Sequence, residues 1–288
     1  MAARDSRSPA LASPLQPQIV GGTPTEYARW QGAVNLYDSG PGCTAVLIGP
    51  EAALTAAHCM VGFEARTSPL LVVGGADLRE PGGPVPLAVV SEVATAPPIE
   101  GQSYWTHDIA LLLLSREVSE APYYALSTSS AKPKVISELT VVGYGATGLG
   151  MRDQGRHRDG TVRLMDAFSG QIQSRYTLFF QGPSMICHGD SGAPLFIRVG
   201  TDWKVVAIAS ATQTCSPDDL GYATYIPAHL EWIGETYRAW TGGELPTRSR
   251  GTLVPSAMPP RTLYLPSLCA SIACDGRTGA AATSGSMQ

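Results

Sequence analysis

The chain has 288 residues, 44% of them apolar and only 15% charged. That is enough length and apolar content for a substantial core, and too little charge for a disordered polymer. Its formal net charge of -4 offers no attraction to nucleic acid or to an anionic membrane, so neither is expected as a partner. The 31 glycines and 23 prolines favour many short strands joined by turns over long helices.

Residues 1–18 are rich in Ala, Pro, Ser and Arg and read as a flexible leader. Prolines at Pro9, Pro14 and Pro17 interrupt any apolar stretch that could serve as the core of an export signal. Export by a signal not visible in this chain, unconventional export and retention inside the cell all stay open. No later stretch is long and apolar enough to cross a membrane.

From Ile19 onward, short apolar runs recur between Gly, Pro, Asp and Asn clusters, at 45–48, 70–73, 109–114, 139–142, 194–199 and 205–209. Their length and β-branched content predict strands of a sandwich or barrel. The stretch 145–160 between two of them reads as a surface loop, with the charged residues 152–158 exposed on it. One helix is predicted over 227–240. Leu230, Ile233, Tyr237 and Trp240 share a face, Pro227 suits the first turn, and Gly242-Gly243 end it. Residues 243–288 read as a disordered tail.

Six cysteines, Cys43, Cys59, Cys187, Cys215, Cys269 and Cys274, form no CxxC pair. A zinc knuckle or dithiol redox site is therefore not expected, and disulfides in an oxidising compartment are read ahead of free thiols. No metal and no cofactor is expected. Asp77 and Glu80 lack the spacing of a calcium loop and read as solvated turn residues, as His107 reads as a rim residue.

Metal-free peptide hydrolysis needs a nucleophile, a base, a group to orient that base, and donors for the oxyanion. Ser191 lies in Gly189-Asp190-Ser191-Gly192, where flanking glycines permit a tight turn and close approach of substrate. His58 ends Leu54-Thr55-Ala56-Ala57-His58-Cys59, and Asp108 opens Asp108-Ile109-Ala110-Leu111-Leu112. Each alone has an ordinary structural explanation. Together with Ile19-Val20-Gly21-Gly22 after the leader, the order of the four segments resembles the chymotrypsin/trypsin-like serine peptidases over roughly 19–240.

That resemblance implies an all-β fold of two six-stranded antiparallel barrels with a C-terminal helix, in a peptidase domain spanning 19–242. It implies Ser191 as nucleophile, His58 as base, Asp108 as its orienting partner, and the N–H groups of Gly189 and Ser191 as oxyanion donors. It implies a zymogen, inactive until a cut after Gln18 frees the amine of Ile19 to pair with Asp190. Gln18 itself departs from the usual Arg or Lys, so an activating protease would need another specificity. The disulfides Cys43–Cys59 and Cys187–Cys215 are likewise implied, whereas Cys269 and Cys274 have no counterpart.

The specificity pocket implied by the resemblance has Met185 at its base, Gly221 at its back, and Ser210-Ala211-Thr212 as its wall. Without an Asp at the base, a preference for Arg or Lys is not expected, and Met185 suggests a medium apolar or uncharged side chain. The expected partner is thus a protein or peptide substrate acted on by an extracellular or periplasmic monomer. Two rivals remain. A non-catalytic binding protein could keep the fold, and an α/β-hydrolase esterase would require Gly-x-Ser-x-Gly with the order Ser, acid, His.

Overall fold

The computed structural model describes residues 19–24, 27–98, 100–101, 106–129, 137–165 and 176–250. The 1–18 leader and 251–288, including Cys269 and Cys274, lie outside them.

Six strands form the first barrel: β2 (Ala33–Tyr37), β3 (Pro41–Gly49), β4 (Ala52–Thr55), β5 (Leu71–Gly74), β6 (Val85–Thr95) and β7 (Ala110–Leu114). They close in the order β2-β3-β4-β7-β6-β5, every pair antiparallel. Val34, Leu47, Val72 and Leu112 are among the side chains filling its interior.

The second barrel comprises β8 (Glu138–Gly143), β9 (Arg158–Met165), β10 (Thr177–Gln181), β11 (Pro194–Val199), β12 (Asp202–Thr212) and β13 (Gly221–Tyr225). Pairing of β8 with both β9 and β11 closes it, and the two-residue strand β1 (Thr23–Pro24) adds to β9. Ile19, Val141, Phe180, Met185 and Leu195 lie in its core. Each apolar run read from the sequence overlaps one of these strands, in keeping with its strand length and β-branched content.

A third cluster joins the barrels. Trp30 stacks on Phe196 at 4.7 Å between ring centres, with Val46, Ile208, Ile233 and Tyr237 around them. The last two come from the helix α1 (Leu230–Thr241), where they are the buried residues. Gly242 ends α1 in the left-handed conformation, φ 69°, its N–H donating to the Arg238 carbonyl. The helix starts later than its sequence suggests, since Pro227 belongs to a separate 3-10 turn, Ile226–Ala228.

Two further expectations need correction. Residues just past the helix are not loose. Leu245 packs on the inter-barrel cluster, the Ser249 hydroxyl donates to the Trp203 carbonyl and accepts from the Ala125 N–H, and the Arg250 N–H donates to the Tyr123 carbonyl. The 152–158 stretch is not uniformly exposed either. His157 and Arg158 are each 1% exposed. Arg158 is the first inward position of β9, whose burial alternates, and His157 just before it packs between the rings of Tyr27 and Tyr144.

Candidate active site

His58 sits on a 3-10 turn (Ala57–Met60) directly after β4, and Asp108 stands two residues before β7. Because β4 pairs with β7, with Thr55 opposite Ala110, the two side chains meet. Asp108 is fully buried. Its Oδ2 lies 2.8 Å from His58 Nδ1, and its Oδ1 accepts the His58 backbone N–H at 2.9 Å. The Ser210 hydroxyl donates to the same Oδ2 at 2.5 Å.

Burial acts to raise the Asp108 pKa, but the hydrogen bonds from His58 and Ser210 outweigh it and hold the group below the usual carboxylate range. An ionised carboxylate only accepts, so the ring nitrogen facing it, Nδ1, carries a proton, and in the neutral tautomer this leaves Nε2 as the acceptor. The ring is about a third exposed, at 34% for the side chain.

Ser191 stands on the turn that leads into β11. Asp190 N–H donates to the Cys187 carbonyl and Ala193 N–H to the Asp190 carbonyl, both at 2.9 Å. Gly189 and Gly192 take φ of 98° and 84°, values that favour glycine. The turn abuts the segment carrying His58. Ser191 accepts the Thr44 N–H at 2.8 Å, and a Cβ on Gly192 would come within 3.0 Å of the Ala56 nitrogen. Among the described residues, the N–H groups of Gly189 and Ser191 have no hydrogen-bond partner, and no hydrogen bond joins the Ser191 hydroxyl to His58.

Asp190 is fully buried. Its Oδ1 accepts the Gly145 N–H at 2.7 Å and its Oδ2 the Cys187 N–H at 3.0 Å. Burial pushes its pKa up to about 6, against the lowering by those two amides and by the charge of Arg158. Ile19 is buried in the second barrel, beside a backbone bridge between Val20 and Met185. Its nitrogen is in peptide linkage to Gln18, and no ion pair to Asp190 is present.

The proposed pocket residues are dispersed in role. Met185 is 0% exposed and its N–H donates to the Val20 carbonyl. Gly221 pairs with Phe180 across β10 and β13, and a Cβ at Gly221 would collide with the Phe180 ring. The Ser210 hydroxyl points at Asp108 and not into a pocket. The Thr212 hydroxyl donates to Asp219 at 2.9 Å. Phe180 lies outside the apolar runs read from the sequence, and Thr44 carries no local signal at all.

Disulfides join Cys43 to Cys59 and Cys187 to Cys215, tying one brace to the residue after His58 and one to the Ser191 turn. Cys43, His58 and Cys59 come together with metal-ligand spacing among the described residues, but the disulfide removes both thiolates. A cavity of about 370 Å³ lies beside that disulfide, lined by Leu36, Pro41, Met60 and Arg66 among others.

Two closed six-stranded antiparallel barrels followed by a C-terminal helix make a double-barrel fold of the trypsin type. The match to the Trypsin family spans residues 19–233, and the chain belongs to that family. It is 28% identical over 243 residues to the human protein called transmembrane protease serine 5, covering 78% of this chain and 53% of that protein. Identity to atrial natriuretic peptide-converting enzyme is 26% over 241 residues in both rat and mouse, covering 77% of this chain and 21% of those proteins. The chain thus spans about half the length of the first relative and about a fifth of the others.

These relatives overturn the expectation that a membrane is no partner, since one of them is named for its membrane span. No helix among the described residues is long and apolar enough to cross a membrane. That property, like the net charge of the chain, is silent on tethering and so could not exclude a membrane. The fold and its disulfides are those typical of an extracellular protease.

Proposed function

We propose that the chain is a serine endopeptidase in which Ser191, His58 and Asp108 act together. The observation that carries this is the buried Asp108, bonded to His58 beside a turn that leaves two neighbouring amides unbonded. Nε2 of His58 takes the Ser191 hydroxyl proton as Oγ attacks the scissile carbonyl. The N–H groups of Gly189 and Ser191 receive the resulting oxyanion, and losing one such donor costs about 3–4 kcal/mol. His58 then passes the proton to the leaving amine, and water cleaves the acyl-enzyme by the reverse sequence. The hydroxyl–imidazole bond forms on substrate binding, as such contacts tighten in the Michaelis complex.

A cut after Gln18, freeing the Ile19 amine to pair with Asp190, gives the fully active form. Secretion accompanies this reading. With Met185 as the floor that the family resemblance implies, the pocket takes a medium apolar or uncharged side chain, a reading supported by the Phe180 ring lying against Gly221. A peptide library is expected to be led by such residues, and a profile led by Arg or Lys would overturn the pocket assignment.

Labelling by a fluorophosphonate probe tests the chemistry. The natural chain is expected to label and to cleave a protein substrate, and Ser191→Ala to do neither. Labelling without proteolysis would mark an esterase, and no labelling in cut or uncut form would mark a binding protein.

A further inference from the structure

Arg158 is a guanidinium in the wall of the second barrel, 1% exposed. A cation so placed is costly unless its charge and donors are matched. Its Nη1 donates to the Gly145 carbonyl at 2.6 Å. Its Nη2 donates to the Asp153 carbonyl at 3.2 Å and lies 3.6 Å from the Asp153 carboxylate. The N–H of the same Gly145 donates to Asp190 at 2.7 Å. One residue therefore bridges a buried cation and a buried anion, polarised at its carbonyl by Arg158 and at its amide by Asp190.

Asp190 also takes the Cys187 N–H, and the neighbouring Ala146 N–H donates to the His188 carbonyl at 2.8 Å. The whole 187–190 turn, which presents the Gly189 and Ser191 amides, thus rests on 145–146. A Cβ at Gly145 would collide with the Asp190 carboxylate, and one at Gly189 would stand 3.1 Å from the Gly145 Cα. This support exists in a chain whose Ile19 nitrogen is an uncharged amide.

We propose that Arg158 is a positioning residue. Through Gly145 it holds Asp190, and with it the Ser191 turn, in a competent arrangement in the uncut chain, which therefore has basal peptidase activity. The inference rests on the serine-peptidase reading above.

Full-length natural chain, Arg158→Met and Arg158→Lys are compared uncut, as verified by intact mass. Each is compared again after a site-specific protease, its recognition sequence inserted before Ile19, has exposed that amine. Fluorophosphonate labelling rate and kcat/KM on a peptide substrate are read beside the melting temperature. Arg158→Met is expected to slow the uncut form by more than about tenfold, with part of that restored by Lys, while slowing the cut form less than about threefold. In the cut form the new amine supplies the countercharge.

The ratio between the two forms of one variant is the reading, because a packing defect lowers both alike. Equal losses in both forms, an unaffected Arg158→Met, or a natural chain that labels only after cutting would each overturn the proposal and leave the peptidase reading intact. Absence of labelling in every form would remove both.

Discussion

His157 and Arg158 are adjacent and both buried, yet they place opposite demands on charge. His157 lies between Tyr27 and Tyr144, at 5.3 and 4.9 Å between ring centres, and its ring nitrogens have no hydrogen-bond partner among the described residues. Burial, partly offset by the nearby backbone of Trp30 and Ala33, lowers its pKa to about 3. Between that value and the ordinary 6.5 the unfolded chain binds the proton and the folded one does not. The stability contributed by the neutral ring is full above about pH 6.5 and is lost as pH falls toward about 3, roughly 2 kcal/mol by about pH 5. Urea titrations of His157→Phe are expected to show a flatter fall in stability between about pH 7 and 5 than the natural chain.

Asp190 runs the other way. Its raised pKa, about 6, makes the folded state lose stability as pH rises from the ordinary carboxylate range through that value. On the proposed function, the leverage at Asp108 is catalytic. Ser210→Ala removes one of the bonds that fix the carboxylate, a charged hydrogen bond worth about 1.5–3 kcal/mol. A fall in kcat of about tenfold with KM little changed is expected in steady-state assays.

Six strands were legible in the sequence as apolar runs, among them β7, where four of five residues are buried, whereas β2, β4 and β10 were not read although most of their residues are buried. β9 was not legible, although its burial alternates along nearly its whole length. Its first inward position is Arg158, and hydropathy reads an arginine as exposed whatever its partners are. The segments carrying His58, Asp108 and Ser191 could be read because glycine, charge and apolar runs mark them locally. The hydrogen bonds that Thr44 and Ser210 send across the barrels leave no local trace. The helix was legible from its spacing, and Ile233 is fully buried on it. Ile233→Ala should lower stability by about 2–5 kcal/mol through the cavity it leaves, measured by thermal melting.

At the scale of the molecule the barrels share one seam. The Thr44 hydroxyl on β3 donates to the Gly189 carbonyl at 2.8 Å and accepts the Tyr144 N–H at 3.2 Å, while its N–H holds Ser191. Its carbonyl accepts the Thr55 hydroxyl at 2.8 Å, which reaches back toward His58. With Trp30 and Phe196 stacked across the same boundary, each half is stabilised by the other beyond its own core. Calorimetry of residues 19–250 is expected to give a single transition whose calorimetric and van't Hoff enthalpies agree, and two resolved peaks would contradict that coupling.

Thr44 also sets the order in which the molecule frays. The amide proton of Thr44, fastened on both sides, is expected to exchange with solvent only when the whole structure opens, whereas those of the exposed 149–152 loop exchange through small local breathing. On warming, the outer loops are therefore expected to loosen first, and the seam that holds the Ser191 turn to β3 to be among the last parts lost.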